Sequence, residues 1–162
     1  TLLTALQQFK DDFDKNQPLW RVLPEFVTRN PRYEKIGLRD LCMQIHALYA
    51  EWDVARLTTE MYLSDMECAM KPADAFALMT HRKIERVPVN ELEGRITASL
   101  VTPYPPGIPL LIPGERFNKT IVDYLKFSQV FNIRFPGFET DVHGLSSEVV
   151  DGVKRYYVDC VR

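Results

Sequence analysis

The chain has 162 residues, a length that fits one globular domain. Apolar residues make up 46% of it and charged residues 26%, which excludes intrinsic disorder, collagen and coiled coil. Its 20 Lys and Arg against 22 Asp and Glu give a net charge of −2, so we expect no nucleic-acid or membrane surface. No apolar run approaches the roughly 20 residues of a membrane span. Composition therefore indicates a soluble globular protein and leaves its function open.

Cysteine usage and the first residues bear on the compartment. The chain has three cysteines, an odd number, and they are widely spaced: Cys42, Cys68 and Cys160. This pattern fits neither a disulfide framework nor a zinc site. A reducing compartment is favoured, so we expect a cytoplasmic protein. No signal-peptide pattern precedes the first helix. The start at Thr1, inside a helical pattern, leads us to expect a part of a longer chain.

Helical periodicity dominates the first half. A first helix is predicted from Leu3 to Phe13, and Asn16 and Pro18 end it. Pro24 and Pro31 interrupt the next stretch, where we predict turns and one brief helix. Gly37 precedes the clearest helix, whose predicted core face is Leu38, Leu41, Cys42, Ile45, Leu48, Tyr49 and Trp52. Two further helices are predicted over Val54–Ser64 and from Pro72, with Leu57, Met61, Tyr62, Ala75, Phe76 and Met79 at core spacing.

After Lys83 the pattern becomes that of strands. Ile84–Val89 is a predicted edge strand because Pro88 cannot donate to a ladder. Strands are also predicted over Gly94–Val101 and Ile108–Ile112, and a helix over Thr120–Phe131. The pair Asp151-Gly152 predicts a closing hairpin between residues 145–150 and 153–161. The predicted fold class is α+β, with N-terminal helices packed on a small, mostly antiparallel sheet that closes in a β-hairpin.

Common active-site motifs are missing from the sequence. It contains no Gly-x-Gly-x-x-Gly, phosphate-binding loop, His-Glu-x-x-His or Gly-x-Ser-x-Gly. We expect His46 and His81 to be surface or partly buried histidines and Cys42 to be a core thiol. Glu139, Asp141 and His143 would share one face of a strand, where they could orient a base or help to bind a metal. The alternative interpretation is a turn closed by Gly137 and Gly144.

Five prolines fall within residues 103–113. Each fixes φ and removes an N–H, so the segment is predicted to be stiff and extended, with a turn at Pro106-Gly107. Tyr104 precedes a proline and is held extended, with its ring presented to one side. A rigid loop of this kind suits the wall of a pocket or channel, and a loop that caps the core is compatible as well.

Several motifs then occur in a fixed order. In the second half they are GRITAS at 94–99, PYPPGIP at 103–109, PGE at 113–115 and PGFETDVHG at 136–144. Upstream stand LPEF at 23–26, NPRY at 30–33 and GLRDL at 37–41. Together they resemble the C-terminal region of the bacterial ornithine/lysine/arginine decarboxylases, large pyridoxal-phosphate enzymes of the aminotransferase-like fold. The resemblance covers about Leu23 to His143, and Ser99 departs from it where many relatives carry Asn.

The resemblance implies an assignment for the domain. Residues 1–22 would be a helical lead-in and residues 23–162 the decarboxylase C-terminal domain, packing on the enzyme's small domain. Tyr104, Pro105, Pro106, Gly107 and Glu115 would help to wall the substrate channel, Glu115 by attracting a cationic amino acid. For Glu115 the alternative is a solvated cap of the following helix.

The same resemblance implies where the chemistry resides. The coenzyme lysine of such enzymes stands in a Ser-x-His-Lys motif, which is missing here, so we predict no catalytic, cofactor-binding or metal-binding residue and no activity of this chain alone. The full-length enzyme would use pyridoxal phosphate, and lysine would be the preferred substrate, followed by arginine and then ornithine. Its partners would be the remaining domains and sister subunits, since relatives form dimers that build decamers. A non-catalytic assembly or interaction domain is the alternative.

Overall fold

The computed structural model describes all 162 residues, which divide into two compact units, residues 1–53 and 54–162. The first unit is helical. Its α-helices are α1 (Leu2–Asp14), α2 (Leu19–Val22), α3 (Pro24–Arg29) and α4 (Leu38–Glu51), and a 3₁₀ turn covers Pro31–Tyr33. The predicted domain boundary after residue 22 falls between α2 and α3 and stays a prediction. None of the helices in the chain is both long and apolar enough to span a bilayer.

Helices α1 and α4 are joined through Asn16. The Thr1 hydroxyl accepts from the Thr4 N–H at the start of α1, and the chain turns at Asn16 with φ +50°. The Asn16 amide then donates to the Asp40 carboxylate at 2.8 Å and accepts from the Asp40 N–H at 3.2 Å. These side-chain bonds satisfy main-chain donors at the helix ends, and both predicted helices are confirmed.

In the first unit, fewer residues of α4 are buried than the sequence pattern predicts. On α4, Leu38, Leu41 and Leu48 are buried, whereas Tyr49 is 39% exposed. The other predicted core positions of α4, Cys42, Ile45 and Trp52, are only half-buried. The prediction of Cys42 as a core thiol is therefore wrong. A unit of 53 residues has too little interior to cover a wide apolar face, so the flanking positions of the stripe remain partly in solvent.

The second unit combines helices with two small sheets. Its elements are α5 (Val54–Leu63), α6 (Pro72–Thr80), β1 (Ile84–Pro88), β2 (Thr102–Tyr104), α7 (Lys119–Arg134), β3 (Asp141–His143), β4 (Leu145–Val150) and β5 (Val153–Val161). One antiparallel sheet has the order β1-β5-β4, and β2 pairs with β3 in the other. The predicted α+β class, the edge position of β1 and the hairpin around Asp151-Gly152 are confirmed.

Two predicted strands do not form. Residues 94–101 and 108–112 make only isolated bridges, among them Thr97 with Cys160 and Val101 with Leu111. Burial in these segments does not alternate either: the neighbours Thr97 and Ala98 are both buried, as are Leu110 and Leu111, whereas Leu100 is 45% exposed. The prolines that follow remove the amide donors that a continuous ladder needs. The paired segment is instead β2, which the sequence pattern did not indicate.

Helix α7 forms the centre of the second unit. It extends beyond the predicted Thr120–Phe131, and Asn118 caps it by accepting from the Ile121 N–H at 2.9 Å. Its buried residues cover more than one face: Ile121, Val122, Tyr124, Leu125, Phe127, Ser128, Phe131 and Asn132. On α6 only Ala75 is buried, and Phe76, predicted to be in the core, is 57% exposed. On α5, Leu57 and Met61 are buried, whereas Tyr62 is half-buried.

Candidate functional site

The short β2–β3 ribbon brings Tyr104 and His143 together. Their rings stack with centroids 5.8 Å apart and planes at 29°, and Nε2 of His143 lies 3.0 Å from Oδ2 of Asp141. In the register Tyr104 faces Asp141 and Thr102 faces His143, so the stacked rings are diagonal neighbours across the pair of strands. All three side chains are exposed. The ribbon therefore presents a phenol, an imidazole and a carboxylate to the outside as one cluster.

Glu139 does not join that cluster through a hydrogen bond. Asp141 and His143 share a face of β3, as predicted, but the Glu139 carboxylate accepts from the Gly137 N–H at 2.8 Å. The turn interpretation thus holds for Glu139. No group of three His, Cys, Asp or Glu side chains in the structure is placed to hold a metal ion.

The loop after β2 folds back onto the Tyr104 ring. The Gly107 N–H donates to the Pro103 carbonyl at 2.9 Å, and Gly107 has φ +81°. A Cβ at Gly107 would lie 2.9 Å from the Tyr104 ring, so a larger residue would displace the tyrosine. Pro105 and Pro106 are exposed at the tip, and the peptide bonds preceding both are cis. Loop and ring form one unit with little freedom to rearrange.

Glu115, the other predicted wall residue, belongs to a turn of its own. Its Oε2 accepts from the Ile112 N–H at 2.8 Å, and its own N–H donates to the Ile112 carbonyl at 3.1 Å. Its carboxylate is thus engaged within this turn. The alternative prediction, that Glu115 caps the following helix, is wrong because Asn118 occupies that position.

A buried amide supports the ribbon from behind. Asn132 on α7 is 9% exposed and holds the main chain of Thr140, the residue before β3. Its Nδ2 donates to the Thr140 carbonyl at 2.9 Å and its Oδ1 accepts from the Thr140 N–H at 2.8 Å. Ser128, one turn earlier, bonds the Thr140 hydroxyl at 3.0 Å. Sequence reasoning missed Asn132, although a polar residue four positions after Ser128 on a core-facing helix is a recognisable signal.

The remaining nucleophilic and polar candidates offer little chemistry. Burial raises the pKa of the Cys160 thiol to about 12, with a smaller contribution from Asp159 and against the effect of Arg95. A thiol with such a pKa stays protonated and is a poor nucleophile. The hydroxyls of Ser99 and Thr102 are buried without a hydrogen-bond partner.

The lysines do not fit a Schiff base with pyridoxal phosphate. Such a lysine is activated by desolvation or by a neighbouring cation. Seven of the eight lysines here are exposed, and the eighth, Lys126, is half-buried. None of them therefore has the desolvated setting in which such a lysine is activated.

Comparison with known proteins places the chain in a family. The family described as "Orn/Lys/Arg decarboxylase, C-terminal domain" matches residues 55–162, which is the second structural unit without its first residue. The chain therefore belongs to this decarboxylase family, and the resemblance drawn from its motifs is confirmed.

Individual relatives agree with the family assignment. The chain is 43% identical over 166 residues to lysine decarboxylase LdcA of Pseudomonas aeruginosa, and 37% identical over 166 residues to the biodegradative arginine decarboxylase of Escherichia coli K12. Each match covers 100% of this chain and 22% of the relative. The solved structure of lysine decarboxylase A from Pseudomonas aeruginosa has a TM-score of 0.91 over 99% of this chain and 22% of that one, at 43% identity. The chain thus spans about a fifth of the length of these curated relatives.

Proposed function

We propose that this chain is the C-terminal domain of a pyridoxal-phosphate-dependent decarboxylase, a carbon–carbon lyase that acts on a basic amino acid. The observation that carries the proposal is the match to lysine decarboxylase LdcA along the whole chain. We propose lysine as the substrate on the 43% identity to that enzyme; other lysine decarboxylases match at 32–34%, compared with 37% for an arginine decarboxylase and 35% for an ornithine decarboxylase. Bound coenzyme would supply the electron sink for decarboxylation, and the other domains would hold it.

Within such an enzyme, we propose that the Tyr104 loop walls the substrate channel. Pro105, Pro106 and Gly107 fix the loop, and the Tyr104 ring stays 59% exposed although it is a large aromatic group. A rigid exposed ring is suited to contact the aliphatic part of a substrate without losing much side-chain entropy on binding. The Asp141 carboxylate next to it, and Glu115 from its turn, would favour a cationic substrate.

Substitution in the full-length enzyme tests the channel proposal. Tyr104→Ala should lower kcat/KM for lysine about tenfold, mainly through KM, because a binding contact is removed and the chemistry is untouched. Phe76→Ala, which truncates an equally exposed aromatic ring on α6, is the matched control and should leave kcat/KM unchanged. If kcat/KM is unchanged in both Tyr104→Ala and Tyr104→Phe, the channel role is wrong.

The chain by itself should neither bind the coenzyme nor release CO2. Absorbance above 400 nm after purification with pyridoxal phosphate, or CO2 release from lysine, arginine or ornithine, would contradict this. The alternative function is a non-catalytic assembly domain, which the exposed apolar face of α1 favours: Leu2, Leu3, Leu6 and Phe9. An upstream Ser-x-His-Lys motif in the source gene would decide for the enzyme. We propose the remaining domains and sister subunits as partners in either case, and the cytoplasm as the location.

A further inference from the structure

The Tyr104 side chain is held in place by contacts to its ring alone. The ring is 59% exposed, and the hydroxyl at its end makes no hydrogen bond within the chain. Aromatic side chains in strands commonly populate two χ1 rotamers, at about 180° and about −60°. Burial does not select between them here, because the ring lies in solvent. The groups that contact the ring therefore decide where it points.

The first of these contacts is the main chain of Gly107, in the loop after β2. A Cβ at Gly107 would lie 2.9 Å from Cε2 and 3.1 Å from Cδ2 of Tyr104, so the glycine main chain packs closely against that edge of the ring. This contact covers one edge of the ring. A second contact is needed to fix the plane of the ring.

His143 on β3 provides the second contact. Its ring stacks on Tyr104 with centroids 5.8 Å apart and planes at 29°, within the range where aromatic rings attract each other. The imidazole is limited in turn by Asp141 on the same face of β3, whose Oδ2 lies 3.0 Å from Nε2 of His143. The Tyr104 ring is thus contacted by its own loop and by the neighbouring strand.

We infer that His143 is a positioning residue, whose ring, beside Asp141, holds the Tyr104 ring in the orientation in which it meets a substrate. The inference rests on the proposed function of the Tyr104 loop as a channel wall. A ring that is already in place loses less side-chain freedom when a ligand binds against it, and the saving appears as affinity. His143 therefore affects substrate binding without touching the substrate, and it leaves the chemical step unchanged.

Steady-state kinetics of the full-length enzyme with lysine tests the inference. His143→Ala removes the stacked ring and should lower kcat/KM about threefold to tenfold through KM, with kcat unchanged. His143→Phe supplies a ring again and should stay within about twofold of the parent, whereas His143→Gln, polar and without a ring, should behave like His143→Ala. His81→Ala, at an exposed histidine directly after α6, is the matched control and should leave kcat/KM unchanged.

The Tyr104→Ala background distinguishes positioning from a direct contact with the substrate. If His143 acts only through the Tyr104 ring, His143→Ala should change kcat/KM by less than about twofold once residue 104 is alanine. A loss as large as that in the parent would show that His143 acts independently of Tyr104, and it would overturn the inference. Both residues are exposed, so the variants should fold like the parent, which circular dichroism checks.

The outcomes separate the inference from the proposed function on which it rests. If Tyr104→Ala lowers kcat/KM and His143→Ala does not, the channel proposal stands and the positioning role is wrong. The positioning role is also wrong if His143→Phe is as impaired as His143→Ala, because the ring is then not the group that matters. If Tyr104→Ala has no effect, the channel proposal fails and the inference fails with it.

Discussion

Replacing Asn132 by alanine removes the amide that holds the ribbon of the candidate site. The two bonds to the Thr140 main chain, at 2.8 and 2.9 Å, are lost together with the long bond to Tyr156. A protein hydrogen bond contributes about 0.5–1.5 kcal/mol net, and an unpaired group costs more where it is buried. Thr140 is half-buried, so water can replace part of the loss. We therefore expect Asn132→Ala to lower the free energy of unfolding of the second unit by about 2 kcal/mol.

The assay must report on the second unit. Both tryptophans, Trp20 and Trp52, lie in the first unit, so tryptophan fluorescence would follow the wrong part of the chain. Amide hydrogen exchange in α7 and β5 measures the second unit directly. Asn90→Ala, at an exposed asparagine, is the control and should change protection little. If Asn132→Ala lowers the free energy of unfolding of the second unit by less than about 0.5 kcal/mol, the claim that this amide holds β3 in place is refuted.

Two further predictions concern the second unit, and each compares a variant with a control variant. Burial raises the pKa of Cys160 from 9.0 to about 12, so the thiol ionises first in the unfolded chain and stability should fall as pH rises from 9 towards 12. Between pH 8 and pH 10 the free energy of unfolding, measured with urea, should fall about 1.4 kcal/mol further in the parent chain than in Cys160→Ala. Cys68→Ala, which removes an exposed thiol, is the control and should show the same pH dependence as the parent. The same pH dependence in all three proteins would contradict the raised pKa of Cys160. Gly144→Ala should lower the melting temperature more than Gly152→Ala does. A Cβ at Gly144, where φ is +93°, would lie 2.1 Å from the Leu100 carbonyl oxygen. Gly152→Ala has φ +76° but open space and should cost only about 1 kcal/mol, so equal melting temperatures of the two variants would show that the backbone contact is unimportant.

Local signals predicted the helices and the hairpin well. Asp151-Gly152 sets the closing turn by its own backbone preference, with φ +52° and +76°, and the flanking residues Val150 and Val153 pair as expected. Helix α1 ends at Asp14, two residues before the predicted stop signal Asn16, and Gly37 directly precedes α4. Such features depend on a few consecutive residues, and the sequence therefore contains the information directly. The exposure of Phe76 could not be predicted in this way, because it depends on what surface the rest of the fold provides.

The candidate site is built from the contacts that local patterns do not contain. Strand β2 lies within a proline-rich segment and finds its partner nearly forty residues later, and only this pairing stacks Tyr104 on His143. The sequence correctly predicted that Asp141 and His143 share a face, but it offered no reason to place Tyr104 beside them. Likewise, the sequence shows Asn132 only as one more residue of a buried helix. Its role follows from its hydrogen bonds to the Thr140 main chain, which the sequence does not predict. Because the ribbon has only three residues in each strand, its own ladder is too short to be stable alone, and the buried amide of α7 supplies the missing main-chain bonds. Any role of Tyr104 towards a substrate therefore depends on a residue that does not touch it.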